Sequence, residues 1–212
     1  MNLYLSSFRI GNRGAELAKM LGPAKRVAVV RNAVDFSIDE ARHYTGLERE
    51  RADLSALGIS SAGLDLRHYF GSPEALRRDL VEFSGLWVVG GNSFVLRRAM
   101  ALSGLDAILR ERAGDDAFTY AGYSAGACVL PPTLRGIHLA DDPEMTPFGY
   151  TGDVLWDGLG LIPFCIAPHY RSDHPESPLI EKVVEYYVAN GTPFITLRDG
   201  DDYIGKAGEA LS

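Results

Sequence analysis

Short β-rich runs alternate with longer helical patterns along this 212-residue chain, and that alternation restricts its fold more than any other feature. Strands are expected at Asn2 to Ser6, Arg26 to Arg31, Gly63 to His68, Leu86 to Gly90, Phe118 to Gly122, Leu161 to Pro168 and Pro193 to Leu197. Apolar residues at three- and four-residue spacing predict helices at Arg13 to Leu21, Asp39 to Leu57, Pro73 to Phe83, Ser93 to Arg112 and Ser177 to Asn190, the fourth broken near Ser103-Gly104. Successive strands joined through helices pair parallel, so the pattern implies α/β architecture, a largely parallel sheet with helices on both faces. With 46% hydrophobic residues, 212 residues suffice for one core, and residues 1–212 read as a single α/β domain. Thr133 to Gly160 is rich in Asp, Pro and Gly and reads as irregular.

Sheets of this type bind ligands at the carboxyl ends of their strands, which directs attention to the loops after Val89, Gly122 and Ala167. In the second of these, Gly122-Tyr123-Ser124-Ala125-Gly126 follows a strand and opens a helix. This is the context of a nucleophile elbow: the glycines permit the tight crossing, Ser124 sits at the tip, and the Ala125 amide starts a helix where it can meet an oxyanion. A serine hydroxyl needs a base. Of the five histidines, His43 and His68 precede the elbow, in a helix and at a strand end, and His138 sits in the irregular segment; His169 follows the buried strand Leu161 to Pro168 at its carboxyl end, in Pro168-His169-Tyr170, and is the first candidate, with His174 in reserve. The next strand ends in Arg198-Asp199-Gly200-Asp201-Asp202, making Asp199 the first candidate for the orienting acid and Asp201 the second. Gly90-Gly91-Asn92 lets a second backbone amide approach a substrate, with Asn92 placed to cap the following helix and to contact substrate.

The formal net charge of −7 argues against a nucleic-acid or anionic-membrane partner. No apolar run approaches bilayer length and the start lacks signal-peptide character, so a cytoplasmic protein is expected. Cys128 and Cys165 have neither metal-ligand nor redox spacing. No phosphate loop or metal constellation is present, and no cofactor or metal is expected.

Gly90-Gly91-Asn92, Gly122-Tyr123-Ser124-Ala125-Gly126-Ala127 and Pro168-His169-Tyr170, in this order and at these separations, resemble the peptidase E family of aspartyl dipeptidases. The resemblance implies a three-layer α/β sandwich like that of class I glutamine amidotransferases. It also implies hydrolysis of dipeptides with an N-terminal aspartate, with Ser124 as nucleophile, His169 as base and Gly91 with Ala125 as oxyanion amides. The family's acid is usually a glutamate, whereas the matching position here is Asp199. Selectivity for aspartate calls for a cation, for which Arg171 is the first candidate and Arg198 the second. The alternatives are a cyanophycinase-like hydrolase of aspartyl-arginine material, an α/β-hydrolase esterase, and a non-catalytic relative that binds a small ligand or a partner chain. The esterase is disfavoured because its triad order is serine, acid, histidine.

Overall fold

The computed structural model describes residues 1–23 and 25–210, without the side chains of residues 40, 42 and 43, so that of His43 lies outside the described set. A six-stranded sheet runs in the order β3-β2-β4-β5-β1-β8, from β1 (Asn2–Ser6), β2 (Arg26–Val30), β3 (Ser60–Gly63), β4 (Gly85–Val88), β5 (Thr119–Tyr123) and β8 (Asp202–Lys206). All neighbours pair parallel except β8, which runs antiparallel along β1. A separate parallel pair, β6 (Cys165–Ala167) and β7 (Phe194–Thr196), carries the later loops.

Side chains alternate across each strand, and here the alternation feeds two cores. Leu3, Leu5, Ala28, Val30, Leu86, Val88 and Tyr120 face one, which also takes buried residues of α4 (Ser93–Ser103), α5 (Leu105–Glu111), α6 (Ala125–Cys128) and α7 (Ser177–Ala189). Tyr4, Val27, Val29, Trp87, Ala121 and Tyr123 face the other, covered by α1 (Gly14–Met20) and α2 (Glu40–Ala56) through Leu17, Leu47 and Leu54. Two cores on one sheet make the expected three-layer α/β sandwich. α3 (Pro73–Asp79) adds Leu76 to the first core. No described helix is long and apolar enough to cross a membrane.

Three expectations shift. The strand placed at Gly63 to His68 lies earlier, at Ser60–Gly63, because the Asp65 side chain accepts the Arg67 amide and caps a 3₁₀ turn over Leu66–Tyr69. The run from Leu161 is strand only over Cys165–Ala167. The sequence does not announce β8, which is short, begins inside an acidic turn and carries a glycine next to its last residue, all poor strand signals. The break near Ser103-Gly104 is present, with Gly104 left-handed between α4 and α5.

Candidate active site

Strand β5 delivers Ser124 to the carboxyl edge of the sheet. Its backbone has φ 49° and ψ −117°, a conformation strained for a residue with a Cβ, and its carbonyl accepts the amides of Ala127 and Cys128 at 2.8 and 2.9 Å as α6 begins. A Cβ on Gly126 would lie 2.9 Å from the Val88 carbonyl carbon, so the turn can cross β4 only without a side chain there. The buried Tyr120 hydroxyl donates to the Gly126 carbonyl at 2.6 Å and ties strand to helix from below.

Behind the elbow, Glu50 of α2 is a carboxylate only 1% exposed. Trp87 Nε1 donates to it at 2.9 Å, the Tyr123 hydroxyl at 3.0 Å and Arg49 at 3.1 Å. A buried charge is tolerated when its acceptor sites are filled in this way, and here it pins α2 to the two strands beneath Ser124.

His169 follows β6 and is 1% exposed, with φ 57°. Its Nδ1 lies 2.7 Å from Asp199 Oδ1. Asp199 also accepts the Ser7 hydroxyl at 2.8 Å, while Ser7 Oγ accepts the His169 amide at 2.7 Å, and Ser172 Oγ accepts the Asp199 amide at 2.8 Å. With Nδ1–H directed at the carboxylate, Nε2 keeps its lone pair. Burial lowers the His169 pKa below 6.5 against the opposing pull of Asp199, and His174, stacked at 3.7 Å between centroids, lowers it further. His169 is thus neutral at pH 7, the form that accepts a proton. No hydrogen bond joins Ser124 Oγ to His169 among the described residues; such contacts often tighten only with substrate present.

Ser124, His169, His174, Gly90, Gly91 and Asn92 all line one cavity of about 640 Å³, a volume suited to a small ligand. Gly91 has φ 142°, and a Cβ on it would meet the Ala33 carbonyl oxygen at 2.5 Å, so only glycine brings the chain this close. Asn92 touches the cavity, but its side chain is engaged: Oδ1 caps α4 by accepting the amides of Phe94 and Val95, and Nδ2 donates to the Asp142 carbonyl at 2.8 Å. Arg171, the expected selectivity cation, is not among the cavity residues. It stacks over Tyr170 at 5.0 Å and lies 3.7 Å from Glu181, with its side chain 59% exposed. Arg198 does not line the cavity either, and Arg31 and Arg49 do. Carboxylates face the cavity as well, from Asp141, Asp142 and Glu176. Burial raises the Asp141 carboxyl to about 7, although it accepts the Ser93 amide at 2.8 Å.

Sequence reasoning named Ser124, His169 and Asp199 but missed Ser7, Asp141 and the two arginines. Ser7 carried a usable signal, since it follows β1 at the same carboxyl edge. Ser7→Ala is expected to lower kcat about tenfold with KM nearly unchanged, because it removes one hydrogen bond from Asp199 and leaves the buried His169 amide unpaired. Steady-state kinetics on the purified variant checks this.

His169, His174 and Glu176 bring potential metal-ligand atoms within 4.8 Å of one another, a grouping the sequence spacing did not announce. The two rings are nearly parallel, at 9°, and His174 Nδ1 accepts the Glu176 amide at 3.2 Å. Lone pairs of stacked rings run side by side instead of converging, so the arrangement suits proton chemistry better than tetrahedral metal binding. Burial raises the Cys165 thiol to about 11 and the Cys128 thiol well above its ordinary range, which leaves neither as a nucleophile at neutral pH.

Known proteins resemble this chain in sequence and in fold. The chain is 33% identical over 148 residues to Peptidase E of Streptomyces coelicolor, covering 67% of this chain and 56% of that protein. It is 30% identical over 172 residues to a Drosophila melanogaster protein named Probable alpha-aspartyl dipeptidase, covering 79% and 65%. The chain thus spans less than two thirds of the length of either relative. A candidate peptidase E of Listeria monocytogenes EGD-e superposes with a TM-score of 0.74 over 98% of this chain and 95% of that one, at 24% identity, a likeness of fold. The model of Peptidase family S51 matches residues 15–204, a span that holds Gly91, Ser124, His169 and Asp199, and the chain belongs to that family.

Proposed function

We propose that this chain is a serine peptidase that hydrolyses dipeptides with an N-terminal aspartate through an acyl-enzyme. The observation that carries the reading is the 2.7 Å contact of Asp199 with His169, which lines the same cavity as the strained Ser124. Ser124 Oγ attacks the peptide carbonyl as its proton passes to His169 Nε2. The carbonyl oxygen becomes an oxyanion, which the amides of Gly91 and Ala125 receive; the Ala125 amide opens α6 and has no intrahelical acceptor. His169 then gives the proton to the leaving amine, and water releases the acyl group by the same steps. Asp199 holds the tautomer and stabilises the imidazolium.

A dipeptidase must also recognise a free α-ammonium, and Asp141, Asp142 and Glu176 supply carboxylates for it. The aspartyl preference follows the name of the Drosophila relative. A panel of Asp-Xaa and other dipeptides tests the reading, together with labelling by a serine-reactive phosphonate. A protein that cleaves no dipeptide and leaves Ser124 unlabelled would be a binding relative instead.

The pH profile follows from the two shifted groups. Asp141 is charged only above about pH 7, and His169 is free to accept a proton only above a pKa lower than 6.5. The value of kcat/KM for Asp-Leu is therefore expected to climb with pH and level off above about 7. In Asp141→Asn the overall rate should be lower and the rise should move to the more acidic titration of His169. An unmoved rise would remove Asp141 from amine recognition.

A further inference from the structure

Helix α2 contains Gly46 in its interior, where glycine is a poor helix former. The structure supplies a reason: a Cβ there would run into the guanidinium of Arg31, with Cζ at 2.8 Å. Gly46 and Arg31 both line the catalytic cavity, and so does Arg49, one turn further along the helix. Arg49 is steadied by Glu50, which is buried behind the wall and does not itself line the cavity. The two arginines come from the α2 side of the sheet. Asp141 and Glu176 come from the other side, Asp141 through its bond to the first residue of α4 and Glu176 at the start of α7. The cavity is therefore bipolar, with guanidinium groups on one wall and carboxylates on the other.

We propose that Arg31 and Arg49 form a subsite for a substrate carboxylate, taking the role that the sequence had pointed to Arg171 to fill. The assignment rests on the peptidase reading for the identity of the substrate, not for the charge of the wall. Planar guanidinium groups match a carboxylate in geometry as well as charge. A dipeptide with an N-terminal aspartate offers two carboxylates, that of the side chain and that of the C-terminus.

The test is a calorimetric titration of the Ser124→Ala protein with Asp-Leu, Asn-Leu and Asp-Leu amide, alone and combined with Arg31→Met, Arg31→Lys or Arg49→Met. Either Met substitution should weaken Asp-Leu binding about 10- to 100-fold, the range expected for a lost charge-assisted hydrogen bond. Arg31→Lys should fall between, because it keeps the charge and loses the fork. Weakening of Asp-Leu and its amide, with Asn-Leu spared, identifies the side-chain carboxylate. Weakening of Asp-Leu and Asn-Leu, with the amide spared, identifies the C-terminal one. Equal weakening of all three, weakening of none, or no binding by the Ser124→Ala protein overturns the subsite. Should Arg31→Met not fold, Arg31→Lys and Arg49→Met still decide. Hydrolysis by the parent protein is scored separately: charge-dependent binding without cleavage would sink the peptidase reading and leave the subsite standing.

Discussion

Ser124→Ala should lower turnover on Asp-Leu by about 10⁴- to 10⁶-fold, since a triad enzyme without its nucleophile keeps only oxyanion stabilisation and binding. The fold should survive. Alanine is smaller than serine, and the backbone at this position is held by the crossing of Gly126 over Val88, by the Tyr120 bond to the Gly126 carbonyl, and by the two amides that bond the carbonyl of residue 124. Circular dichroism matching the parent, alongside loss of activity and of phosphonate labelling, is the expected result. Activity within tenfold of the parent would exclude a Ser124 acyl-enzyme.

His169→Ala should be nearly as damaging, and comparison with His174→Ala gives the result its meaning. The rings lie 3.7 Å apart, but only His169 is bonded to Asp199. If His169 is the base, His174→Ala should retain most of its activity and shift the pH profile to higher pH, because a neighbour that lowers the His169 pKa has gone. An inactive His174→Ala beside an active His169→Ala would reverse the assignment of the base.

The contrast between Ser124 and Arg171 shows what a sequence of this kind discloses. The elbow is local: strand, glycine, serine, glycine and helix lie within ten residues, and steric exclusion at the crossing leaves little choice of conformation. His169 and Asp199 are legible as residues that follow apolar runs at their carboxyl ends, although β6 and β7 form a parallel pair of their own instead of extending the main sheet. Arg171 was favoured for its closeness to His169 in the chain. Both residues have positive φ, 57° and 51°, so the backbone between them turns back and carries Arg171 to Tyr170 and Glu181 at the surface. Arg31, Arg49 and Asp141 gave no comparable signal, because what makes them notable is the company of residues far away in sequence. β8 is hidden for a related reason: its pairing with β1 is a long-range contact, and its two strand formers, Tyr203 and Ile204, are flanked by Asp202, Gly205 and Lys206.

The bond between Ser7 and Asp199 joins positions 192 residues apart, and β8 docks on β1 directly beside it. Loop-closure entropy grows only logarithmically with length, so such a contact costs little at equilibrium beyond what shorter closures cost. In time the balance differs, because contacts of high sequence separation form late. During refolding the elbow can take shape from β4, β5 and α6 before the acid has any partner at the opposite end of the chain. Assembly of the candidate triad is thereby tied to completion of the sheet, and a half-folded chain would display Ser124 before His169 is held by Asp199.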